Sequence, residues 1–192
     1  MYEAINRGFR MAEGDILAYQ NADDRYAGPE TVARAVARFQ SDPVPDVVYG
    51  GFRYIDEGGR PLPRPVVDRE FDRRALLRYN FIPPHSTFVR SGVVKEDGHW
   101  LDPTLHFAGD WDWFVRMALA GKRFVHIPEV LSEFRLHPRS KTSTFGWVPK
   151  LREWRRICRK NGTSFSTLVF YEAFYVPLRR RLGLMSNGRL AP

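Results

Sequence analysis

The chain has 192 residues, enough for one domain with a real core and too few for two ordinary ones. Hydrophobic residues at 43% exclude a disordered chain, and a single cysteine, Cys158, excludes a disulfide framework or a multi-cysteine metal site. The net charge of +8 is local: residues 146–192 carry ten Lys/Arg and two acids, so residues 1–145 balance 20 against 20 and imply no nucleic-acid-binding face.

In chain order, Ala4, Ile5, Gly8, Phe9 and Ala12 recur at helical spacing, with Gly14 placed for the helix end. Ile16-Leu17-Ala18-Tyr19, apolar on both faces, reads as a buried central strand. A helix of this kind normally crosses over from an earlier strand, and none precedes it here. After a polar loop at 20–24, Gly28-Pro29 opens a helix whose stripe is Val32, Ala35, Val36 and Phe39. Val47 to Ile55 reads as a strand closed by a turn at 56–61. A short helix at 71–79, a strand at 86–90, a helix at 110–120 ending on Gly121 and a strand at 122–127 complete an α/β alternation.

The division expected is a domain over 1–145 and a basic extension over 146–192. Within the extension Trp147, Leu151, Trp154 and Ile157 form an apolar stripe among basic residues, and 165–178 ends in Arg179-Arg180-Arg181. Such helices lie on an anionic membrane surface or pack on the domain with a solvated basic face, and both readings stand. Without a secretion signal after Met1 or an apolar run long enough to span a bilayer, the expected place is cytoplasmic, soluble or peripheral at the inner membrane face.

Two clusters carry chemistry. Asn21-Ala22-Asp23-Asp24 follows a strand, where α/β sheets bind ligands, and its paired carboxylates suit a hard divalent cation. An Asx-rich turn explains the same residues. In Gly109-Asp110-Trp111-Asp112-Trp113, Asp112 and Arg116 have the i, i+4 spacing of a surface ion pair. Asp110 lies on the other side with Phe114 and Met117, a desolvating place that suits a general base, although an N-cap at the helix start serves equally. His85, behind Pro83-Pro84, and His137, in Arg135-Leu136-His137, are by themselves ordinary structural histidines.

Taken in order, these segments resemble family 2 glycosyltransferases, the inverting enzymes of the GT-A fold. Tyr2 to Gly8 resembles an Ala-x-Asn-x-Gly segment, Ala12 to Ile16 an Ala-x-Gly-Asp-Ile stretch, and Asn21 to Asp24 the metal-binding DxD-type motif. Asp46 to Gly50, Pro84 to Arg90, the Gly109 to Arg116 helix start with Asp110, Asp112 and Arg116, and Arg135-x-His137 with Ser140 are similar to the later motifs. The resemblance covers about residues 1–143. It implies a Rossmann-like mixed sheet flanked by helices, lacking the first strands that hold the nucleoside, with amphipathic helices at the C-terminus. Gly109 stands where many members have Glu.

The function so implied is metal-assisted transfer, with inversion, from a nucleotide-sugar donor to a hydroxyl of a glycan or lipid-linked acceptor, as in bacterial envelope polysaccharide synthesis. Asp24 and Asp23 are implied as ligands of Mg²⁺ or Mn²⁺, and Asn6, Asn21, Asp23, Arg135 and His137 as donor contacts. Asp110 is implied as the base, with His85 and Trp111 on the acceptor side. The alternatives are an inactive fragment, a membrane-surface module, or a nucleotidyltransferase of similar fold.

Overall fold

The computed structural model describes residues 1–64, 66–137 and 146–165. A five-stranded mixed sheet runs through it in the order β1-β4-β3-β5-β2. The strands are β1 (Ile16–Ala18), β2 (Arg25–Tyr26), β3 (Val47–Ile55), β4 (Thr87–Arg90) and β5 (Phe124–Arg135). β3 and β5 are parallel; β4 runs antiparallel to both β3 and β1, and β2 antiparallel to β5.

Alternation along β3 separates two cores, as the period of two demands. Val48 faces Ala35 and Phe39 of α2 (Thr31–Phe39), together with Phe88, Ile127 and Leu131. Val47 and Tyr49 face the larger core, to which α1 (Tyr2–Met11), α4 (Ser91–Lys95), α5 (Gly109–Leu119) and α6 (Trp147–Asn161) all contribute. The short α3 (Arg73–Leu76) also packs there through Ala75 and Leu76.

Three expectations need correcting. β1 is an edge strand of the described sheet, not a central one. Its preceding helix ends on extended Ala12 instead of a left-handed Gly14. β5 does not stop at Ile127: it passes Pro128 at the point where pairing with β3 shifts register around Gly50 and Gly51, and continues to Arg135. The irregularity absorbs the missing proline N–H, because a residue in a bulge makes no ladder bond. Gly50 is required there, since a Cβ would lie 2.5 Å from Leu131 Cγ.

Of the two readings of the extension, α6 takes the packed one in its described part. Trp154, Ile157 and Cys158 are buried in the larger core, while Arg152, Arg155 and Arg159 remain exposed. Ser140, residues 166–178 and Arg179-Arg180-Arg181 lie outside the described residues.

Candidate active site

The loop after β1 holds its carboxylates by hydrogen bonds from distant segments. Asp24 is buried; its Oδ1 accepts the backbone N–H of Arg135 at 2.9 Å and its Oδ2 accepts Asn21 Nδ2 at 2.8 Å. Burial raises the Asp24 pKa above the ordinary carboxylate value, and these two hydrogen bonds oppose the rise. Asp23 Oδ2 lies 3.0 Å from His137 Nε2. The Arg135 guanidinium donates to the carbonyls of Asp23, Asp56 and Glu57 at 2.8–2.9 Å, so it fastens this loop to the turn after β3.

The second carboxylate is set by the start of α5. The N-cap is Ala108, not Asp110, and remote groups take the N–H groups that a helix start leaves over. Glu153 of α6 accepts from Phe107 and Ala108 at 2.7 and 3.0 Å, and the Tyr2 hydroxyl accepts from Gly109 at 3.0 Å. Gly109 is needed for this contact, because a Cβ would stand 2.4 Å from Tyr2 Cε2. Asp110 is half-buried. Its Oδ2 accepts Asn80 Nδ2 at 3.1 Å, and its Oδ1 lies 3.5 Å from the Tyr2 hydroxyl.

Asp112 is placed quite differently. It is fully buried and bonded to Arg116 Nε, Lys160 Nζ and Asn161 Nδ2 at 2.8, 3.0 and 2.9 Å. The expected surface pair is therefore a buried tether between α5 and α6. Two other expected contacts also turn inward. Asn6 satisfies both ends of its amide on the backbone of Leu101, at 2.8 and 3.1 Å, and Trp111 is buried with its indole N–H on Leu76 O at 2.8 Å.

A cleft of about 710 Å³ is lined by one hydrogen-bond partner from each carboxylate site. Its walls include Phe52, Tyr54, Phe134 and His85, and both Asn80, the partner of Asp110, and His137, the partner of Asp23, line it. The His85 ring lies 4.8 Å from Phe52 and 5.2 Å from Phe134, and its buried Nε2 has no partner among the described residues. Burial lowers the His85 pKa to about 4 against the opposing pull of Asp23, so the ring is neutral at pH 7. Burial, followed by the fields of Asp110, Tyr2 and Asp24, raises the Tyr19 phenol.

Residues 1–97 match the family model for glycosyl transferase family 2. The chain belongs to that family. Two glycosyltransferases of Mycobacterium tuberculosis, MT1564 of strain CDC 1551 and Rv1514c of strain H37Rv, both described as uncharacterized, are each 34% identical to this family 2 chain over 139 residues. That match takes in 69% of this chain and 49% of each relative, so the chain spans about half the length of the curated relatives it matches. Among solved structures, Staphylococcus aureus TarS 1–349 in complex with UDP-GlcNAc superposes with a TM-score of 0.60 at 17% identity, covering 80% of this chain and 44% of that one. The same protein with UDP gives 0.58 at 16% identity, covering 92% and 53%. At such identities the likeness shows the fold, a mixed α/β sheet of the GT-A type.

Sequence reasoning missed Asn80, Tyr2, Tyr19 and Glu153. Asn80 had one legible signal: an Asn two residues before Ile82-Pro83-Pro84 favours a turn in which its side chain accepts the N–H at i+2, as Ile82 does at 3.2 Å. The others act across more than 40 positions of sequence or through the fold alone, and no local pattern marks them.

Proposed function

We propose that this family 2 chain transfers a sugar, with inversion, from a sugar nucleoside diphosphate to an acceptor hydroxyl, using Asp110 as the general base. The observation that carries the reading is the single cleft on which the partners of both carboxylate sites open, Asn80 from Asp110 and His137 from Asp23. In that reading Asp110 takes the acceptor proton as the acceptor oxygen bonds to the anomeric carbon and the diphosphate leaves. Base assistance of this kind contributes about 10²–10⁴-fold.

The donor set suits Mg²⁺ or Mn²⁺. Among the described residues no three His, Cys, Asp or Glu side chains form a closed cage, and an ion that keeps waters and shares substrate phosphates needs only one or two carboxylates. Asp24 and Asp23 would hold it, with His137 beside Asp23. A bound ion supplies charge to offset that developing on the leaving diphosphate. Asn21 and Arg135 serve the donor side indirectly, by fixing Asp24 and its loop. On the acceptor side, Phe52, Tyr54 and Phe134 offer apolar faces to a sugar ring, and His85 a neutral nitrogen to a hydroxyl. A lipid-linked acceptor fits the exposed arginines of α6, and a cytoplasmic membrane face fits the absence, among the described residues, of a helix long and apolar enough to cross a membrane.

UDP-GlcNAc, the ligand of TarS, is the first donor to test. In a version carrying the full length of its relatives, we expect Asp24→Ala to abolish Mn²⁺-dependent UDP-GlcNAc binding in calorimetry, and Asp110→Asn to keep that binding and lose transfer. Unchanged binding by the first variant, or full transfer by the second, would sink the assignment concerned.

A further inference from the structure

Asn80 lies in the loop after α3, 30 positions before Asp110, and outside the segments compared with the family above. Its amide has one admissible orientation. The Ile82 backbone N–H needs an acceptor and finds Asn80 Oδ1 at 3.2 Å, so the opposite end, Nδ2, must face Asp110 Oδ2 at 3.1 Å. The loop backbone thus decides which end of the amide the carboxylate meets. Asp110 does not cap its own helix; the Tyr2 hydroxyl lies 3.5 Å from its Oδ1, and the Asn80 amide holds the other oxygen, Oδ2, at 3.1 Å. Asn80 also lines the cleft.

We infer that Asn80 is the positioning residue for the base: it fixes the Asp110 carboxylate relative to the cleft so that the carboxylate meets an acceptor hydroxyl already aligned. The inference rests on the reading of Asp110 as base, and the two fail separately. A misplacement of about 1 Å at a reacting group costs on the order of 10²-fold in rate, which sets the scale of the effect.

The decisive variant is Asn80→Asp. It keeps the size of the side chain and an oxygen for the Ile82 N–H, but sets a carboxylate oxygen against Asp110 where a donor stood. In a version carrying the full length of its relatives, with UDP-GlcNAc as donor probe and a synthetic alkyl glycoside as acceptor probe, we expect kcat to fall about 10- to 100-fold, with donor KM and melting temperature unchanged. Asp110→Asn is measured alongside. If it stays active, the base reading fails; if it is dead while Asn80→Asp turns over normally, the positioning role fails. A change confined to acceptor KM also overturns it, since Asn80 is then only a wall of the cleft. A readout independent of turnover is the side-chain ¹⁵N amide resonance of Asn80. The proton facing Asp110 should move upfield in Asp110→Asn, and an amide signal identical in the two proteins overturns the inference even if neither probe is turned over.

Discussion

At the residue scale, three carboxylates of similar appearance in the sequence have three different situations. Asp24 is held by a loop amide and a strand N–H, Asp110 by the amide of Asn80, and Asp112 by the ends of two helices. The i, i+4 spacing correctly paired Asp112 with Arg116, but spacing carries no information on burial, and the burial comes from α6. Asp112→Asn should therefore be costly. The variant loses the charged hydrogen bonds to a buried carboxylate, while Arg116 stays partly exposed and Lys160 keeps Asp102, so about 1.5–3 kcal/mol is expected in urea denaturation. His85 gives a pH dependence of definite sign. Its folded pKa of about 4 lies below the ordinary 6.5, so the unfolded chain takes up the proton first as pH falls. The stability it leaves intact is full above pH 6.5 and declines toward pH 4, by up to about 3 kcal/mol. Asp24 works in the opposite sense, because burial raises its pKa and favours the protonated folded state at acid pH. Comparing the protein with His85→Phe at pH 7 and pH 4.5 isolates the histidine: the variant should lose less stability on acidification.

At the scale of elements, β3 was legible from end to end because eight of its nine residues, all but Arg53, are apolar or small and both faces are covered. The continuation of β5 was not, since Pro128 argues locally against a strand and only its pairing with β3 reveals the irregularity that accommodates it. α6 was legible as an amphipathic helix, but its stripe fits a membrane or a protein core equally well on paper. The packing decides: Ile157 is fully buried, and Glu153 receives the N–H groups just ahead of Asp110. Ile157→Ala should cost about 2–5 kcal/mol in urea denaturation, and part of that loss should appear as mobility at the start of α5, measurable as faster amide exchange of Phe107 and Ala108.

For the whole molecule, the charge count located the basic excess but not its direction. In the described part of the extension the apolar side is consumed by the core, and Arg152, Arg155 and Arg159 point outward. Membrane attraction at α6, if the acceptor is lipid-linked, then runs through charge and not through an inserted apolar face of that helix. The full chain is expected to sediment with vesicles rich in phosphatidylglycerol at low salt and to leave them as salt shortens the screening length to about 8 Å near 0.15 M. Equal sedimentation with neutral phosphatidylcholine vesicles would remove that explanation.

The close fit of Tyr2 against Gly109 joins positions 107 residues apart into one unit of inheritance. Neither side chain can change volume alone: a larger residue at 109 meets the phenol ring, and a smaller one at 2 abandons the Gly109 N–H. A side chain at position 109 is compatible with this fold only where position 2 is smaller than Tyr, so the start of the fifth helix and the start of the first share one volume, and a change at either is felt at the other.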